Sequence, residues 1–152
     1  MAVSFRLLVT GSRMWRDERV VCHELDEVWR EAKAEGWETI TVVHGACGWG
    51  IKGPFDPDKL WGADKYAHKW ALRTPGAEPE PHPANWARYG DPAGPIRNQQ
   101  MARSGVDLCL AFIRNKSKGA TGCANMAYRA GVAVRRIDAD GRDQTVTKPA
   151  LW

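Results

Sequence analysis

The feature that most restricts the fold is the run Phe5-Arg6-Leu7-Leu8-Val9-Thr10, rich in apolar and β-branched residues, which stops at Gly11. Such a run feeding a glycine turn reads as a buried central strand. Past Asp17, Val21, Leu25, Val28 and Ala32 recur at helical spacing and Gly36 follows, which predicts a helix over 17–35. Strand, glycine turn and helix make half of a βαβ unit, and the punctuation repeats. Glu38 to Val43 reads as a second strand ending at His44-Gly45, and Ala63 to Leu72 as a helix with Ala63, Ala67, Trp70 and Ala71 on one face. The proline-rich stretch Pro75 to Pro83 ends that helix and leaves room for a short edge strand around His82. Pro95 suits the first turn of a helix running to Arg103, with Gly105 as its stop. Val106 to Ile113 is a nearly continuous apolar strand, of the kind buried on both faces of a parallel sheet. A last helix over 120–130 and a last strand over 132–137 complete the alternation. The expected architecture is α/β: a Rossmann-like, doubly wound, mostly parallel sheet with helices on both faces and the Phe5 strand near its centre.

At 152 residues, 43% hydrophobic and 26% charged, the chain suits a single domain with its own core. We assign residues 1–138 to that domain, 48–62 to an inserted loop rich in glycine, proline and tryptophan, and 139–152 to a poorly anchored polar extension. No apolar run approaches membrane-spanning length and no signal-peptide pattern opens the chain, so a cytoplasmic location without a membrane partner is expected. The formal net charge of +4 is compatible with anionic ligands. The basic residues are scattered among acids, however, so nucleic acid is a less favoured partner than a small molecule, and self-association stays open. Cys22, Cys47, Cys109 and Cys123 form no C-x-x-C pair and read as free thiols. His44 with Cys47 lacks a second half for a zinc site, and neither a metal nor a bound cofactor is expected.

Three glycine-containing strand ends carry the chemistry. Thr10-Gly11-Ser12-Arg13 offers close backbone approach at Gly11, a hydroxyl donor at Ser12 and a guanidinium fork at Arg13, all suited to phosphate; a capped turn with a solvated arginine is the plainer alternative. His44-Gly45-Ala46-Cys47 and then Gly62-Ala63-Asp64 place small residues beside one carboxylate, and Asp64 can bond a ribose hydroxyl or serve the first helical turn. Ala93-Gly94-Pro95-Ile96-Arg97-Asn98 opens a helix with a second fork and an amide, and Trp86 offers a face for a base. Arg97 and Asn98 can equally tie the loop to nearby carbonyls. Ser117-Lys118-Gly119-Ala120-Thr121 again sets glycine and hydroxyls at a helix start. Neither G-x-G-x-x-G nor G-x-x-x-x-G-K-[ST] is present, which argues against a dinucleotide oxidoreductase and a P-loop ATPase.

Taken in order, Val9 to Arg13, His44 to Cys47, Gly62 to Asp64 with Trp70-Ala71, Pro83 to Trp86, Ala93 to Asn98 with Met101, Leu110 to Phe112 and Gly119 to Thr121 resemble the YspA-like branch of the SLOG superfamily. These are Rossmann-like proteins related to LOG (lysine decarboxylase-like) and DprA-type domains. The resemblance implies a nucleotide or nucleotide-derived ligand, sensed or processed, often in bacterial stress, phage or conflict settings. It places Gly11, Ser12, Arg13, His44, Gly45, Asp64, Arg97, Asn98, Gly119 and Thr121 around that ligand. Two alternatives accompany it: an N-glycosidic hydrolase of the phosphoribohydrolase type with Asp64 as its catalytic carboxylate, and a DprA-like nucleic-acid binding module. The LOG enzymes carry P-G-G-x-G-T-x-x-E with a participating glutamate. Here Gly122-Cys123-Ala124-Asn125 follows Gly119-Ala120-Thr121, so binding without fast hydrolysis is expected.

Overall fold

The computed structural model describes residues 4–48, 55–140 and 145–147. Its sheet holds β1 (Phe5–Gly11), β2 (Ile40–His44), β3 (Ala77–Pro81), β4 (Leu108–Arg114), β5 (Val134–Asp140) and β6 (Thr145–Thr147), in the order β3-β2-β1-β4-β5-β6. The first five pair in parallel and β6 adds antiparallel to β5. The fold is the expected Rossmann-like one, with β1 between β2 and β4.

Alternation along β1 divides the core. Leu7 and Val9 face one side, where they meet Val21, Leu25 and Val28 of α1 (Glu18–Ala34) and Ala63, Ala67 and Trp70 of α2 (Gly62–Arg73). Leu8 faces the other side with Met101 of α4 (Ala93–Ala102) and Ala120, Cys123 and Ala127 of α5 (Lys118–Arg129). All of β4 is buried, because both faces of a central parallel strand are covered. Among the described residues no helix is long and apolar enough to cross a membrane.

Several boundaries differ from expectation. The second strand starts at Ile40, and the strand near His82 lies over Ala77–Pro81, pairing with β2 from the sheet edge, where prolines are tolerated. A four-residue helix, α3 (Trp86–Tyr89), capped by the Asn85 side chain, is too short to leave a periodic signal. The extension past Asp138 is anchored where it can be described: Thr145, Val146 and Thr147 pair with Asp140, Ala139 and Asp138, since an edge strand offers unpaired backbone groups to a β-branched run. Residues 49–54 of the inserted loop lie outside the described residues. Its base is closed by a Gly48–Leu60 bridge and by the Trp61 N–H donating to the Cys47 carbonyl at 2.9 Å.

Two glycines bring α2 against the β1 turn. A Cβ on Gly11 would lie 2.3 Å from Ala63 Cβ and 3.1 Å from the Phe112 carbonyl oxygen. Gly62 has φ +58°, and a Cβ there would meet the Ser12 carbonyl oxygen at 2.4 Å. Gly11→Ala should therefore destabilise the fold by about 1–3 kcal/mol, the usual scale of overpacking. Urea denaturation measures this, and a variant as stable as wild type would contradict the packing described.

Candidate functional site

Strand order reverses between β1 and β4, and ligands of open α/β sheets collect at the carboxyl ends of strands at such a point. A cavity of about 120 Å³ lies there. Its lining includes Gly11 and Arg13 after β1, Gly45 and Cys47 after β2, Asp64 in the first turn of α2, Arg97 and Asn98 on α4, and Ser117, Gly119 and Ala120 at the start of α5.

The wall made by Gly45 to Cys47 is held entirely from within the protein. Asp64, 4% exposed, accepts the Cys47 N–H at 3.1 Å, and the nearby Gly45 N–H favours its ionised form. The Ala46 N–H donates to His44 Nδ1 at 3.0 Å. Arg97, 9% exposed, donates through Nη1 to the carbonyls of Gly45 and His82 and through Nε to Asn98 Oδ1. The loop after β2 thus commits its Ala46 and Cys47 N–H groups internally, and much of the Arg97 fork is engaged. Gly45 itself is required by this arrangement, since a Cβ there would lie 2.8 Å from the guanidinium carbon.

The start of α5 is the opposite case. Ser117 provides no side-chain cap, and the helical ladder begins with the Thr121 N–H on the Ser117 carbonyl at 3.0 Å. The preceding N–H groups of Lys118, Gly119 and Ala120 have no acceptor within the helix. Arg13, exposed on the cavity rim, has no ion pair or hydrogen-bonded side-chain partner among the described residues.

No protein-family model matches the chain, and no solved structure matches it. The "Gene 61 protein" of Mycobacterium phage D29 is 39% identical over 132 residues, covering 85% of this chain and 93% of that protein. The chain belongs to the family of that phage protein.

Of the eleven residues singled out in the sequence, Gly11, Arg13, Gly45, Asp64, Arg97, Asn98 and Gly119 line this cavity. Four do not. Ser12 turns its Oγ back to accept the Met14 N–H at 3.1 Å, closing its own turn. His44 is fully buried behind the β2 loop. Trp86 leans on the start of α4, 3.3 Å from where a Gly94 Cβ would sit. Thr121 lines a second cavity, being about 100° further round α5 than Ala120. Ser117, part of the motif read at the start of α5, also lines the cavity, as do Cys47 and Met101, which carry no ligand role in the sequence reading. Sequence reasoning also passed over the buried partner of His44. That partner is His68, whose Nδ1 lies 2.9 Å from His44 Nε2. Because His44 Nδ1 accepts from Ala46, its Nε2 carries the hydrogen and donates to His68. The spacing of α2 brings His68 one helical turn beyond Asp64, a signal that was available in the sequence.

Burial pushes the Asp64 carboxyl up to about 6, against the pull of the Cys47 N–H, Arg97 and the Gly45 N–H. Burial also pushes His44 down to about 3, helped by the neighbouring His68, His82 and Arg97. The two groups act oppositely on stability. Between roughly pH 4 and 6 the folded chain binds more protons at Asp64 than the unfolded one, so this carboxyl costs stability as pH rises. His44 binds fewer protons when folded, so its contribution grows with pH from about 3 towards its ordinary value. In Asp64→Asn the first of these is removed. Relative to wild type, its unfolding free energy should climb by on the order of 3 kcal/mol from pH 4 to pH 7. Denaturation at four pH values tests this, and parallel profiles for the two proteins would show that Asp64 ionises normally.

Proposed function

We propose that the chain binds a nucleotide or nucleotide-derived small molecule at the carboxyl ends of β1, β2 and β4, as a member of the YspA-like branch of the SLOG superfamily. The observation that carries this reading is the asymmetry of the cavity. One side offers the acceptor-free N–H groups of Gly119 and Ala120 and the unengaged guanidinium of Arg13, which together suit a phosphate. The other side offers the Asp64 carboxyl and the amide of Asn98, whose oxygen is occupied by Arg97, leaving its NH₂ to a ligand. Carboxyl and amide suit the hydroxyls of a sugar. A volume of about 120 Å³ encloses a phosphate with part of a sugar, so the base of a nucleotide lies beyond the rim.

Arg13 is the informative residue, because it faces the cavity without supporting the fold. Arg13→Ala should weaken a nucleoside monophosphate by roughly 1.5–3 kcal/mol, as expected for a charge-assisted hydrogen bond, and leave thermal stability unchanged. Arg97→Ala should lower both, since it also frees the carbonyls of Gly45 and His82. Titration calorimetry with a panel of nucleotides decides the matter. Failure of every phosphate-bearing ligand to bind, or equal affinity in Arg13→Ala, would overturn the assignment.

The same geometry disfavours rapid N-glycosidic cleavage. Asp64 is the one acid among the described residues lining the cavity, and the Cys47 N–H already holds it. Cleavage of this type calls on carboxylates to support the ribosyl centre and to activate water, and general acid–base help is worth about 10²- to 10⁴-fold in rate. Incubation with nucleoside monophosphates and NAD-like dinucleotides should release base slowly at most. Fast release that vanishes in Asp64→Asn would establish a hydrolase instead.

A further inference from the structure

We propose that a second cavity, on the far flank of the 116–121 turn, is a separate site for a small phosphate monoester. This cavity has a volume of about 280 Å³ and is lined by Ile113, Lys116, Thr121, Arg136 and Asp138. Its floor is apolar, since Ile113 is 1% exposed, and the register pairs Ile113 with Asp138 and Ala111 with Arg136. Both β5 side chains therefore stand on the face that Ile113 occupies.

The charges are arranged for one anionic group. Arg136 Nε donates to Asp138 Oδ1 at 2.9 Å, which neutralises the pair and fixes the guanidinium. The net positive charge then comes from Lys116. Asn115 and Lys116 both have positive φ, 51° and 55°, turning the chain sharply between β4 and Ser117 and bringing Lys116 into the lining of this cavity. Neither the Lys116 ammonium nor the Thr121 hydroxyl has a partner among the described residues. A compact ammonium and a hydroxyl donor above an apolar floor, beside the Arg136–Asp138 pair, match a phosphate carried on a small organic group. The Asp138 carboxylate opposes a polyanion, and the volume falls below the roughly 300–1,000 Å³ of sites that enclose drug-sized ligands. Thr121, singled out in the sequence for the first cavity, belongs to this one.

The proposal does not depend on the nucleotide reading of the first cavity, and one titration separates the two. Ribose 5-phosphate is the probe, with calorimetric stoichiometry and backbone amide shifts as readouts. Wild type should bind two equivalents, one shifting Lys116, Thr121 and Arg136, the other shifting Arg13 and Gly119. Lys116→Ala and Thr121→Val should each weaken the first equivalent at least tenfold and leave the second intact, and Lys116→Arg should retain most of the affinity. Arg13→Ala should do the reverse. Loss of only the Arg13-dependent equivalent would count against the first cavity and not this one. A single equivalent indifferent to Lys116→Ala and Thr121→Val would overturn the proposal. So would a result in which only a sugar bisphosphate responds to Lys116, since the second cavity would then hold the distal phosphate of a ligand seated in the first.

Discussion

The loop after β2 is gripped from two sides, by the Asp64 carboxyl on its N–H groups and by the Arg97 guanidinium on its Gly45 carbonyl, and the rest of the site depends on that grip. Both groups are nearly buried, where an unpaired charge is unfavourable, so each is stable only with its backbone partners in place. The interaction ties α2, on one face of the sheet, to α4, on the other, through a strand end that belongs to neither. It also sets the shape of the cavity, because Gly45 and Cys47 form the wall that Asp64 and Arg97 stand against.

The grip works only because the backbones approach closely. Gly11 and Gly62 let the start of α2 lie on the β1 turn without a side chain between them, and this brings Asp64 within reach of the β2 loop. Gly62 also holds a positive φ at the first residue of its helix, where any side chain would be strained as well as obstructed. Behind the loop, the His44–His68 pair fills the remaining space with a hydrogen bond in place of a packed hydrocarbon contact. The low affinity of His44 for a proton follows from that enclosure and keeps its Nδ1 free to accept from Ala46.

A consequence is a division of labour among strand ends that look alike in sequence. The β2 loop spends the Ala46 and Cys47 N–H groups on internal acceptors and the β1 turn spends the Ser12 hydroxyl on its own closure, while the start of α5 keeps backbone donors, and Arg13 its guanidinium, towards the cavity. Three glycine turns therefore do not amount to three phosphate cradles. The likeness to a mycobacteriophage protein across most of the chain gives its family, while the chemistry rests on which donors remain uncommitted.

Much of the fold was legible because it follows from local rules. The apolar run of β1, the helical period of α1 and the fully apolar β4 each report their own burial, and the alternation of strand and helix restricts the topology to a parallel, doubly wound sheet. Arg13, Asp64, Asn98 and Gly119 could be singled out because a strand end opening a helix collects polar groups at a predictable place. Sequence by itself could not say which of those groups would be consumed. Whether Arg97 serves a ligand or the Gly45 carbonyl, whether His44 faces a cavity or His68, and on which side of α5 Thr121 falls all depend on distances between segments dozens of residues apart. Hydrogen-bond donors of identical chemistry differ only in what lies within about 3 Å of them, and that is set when helices from both faces close over the sheet.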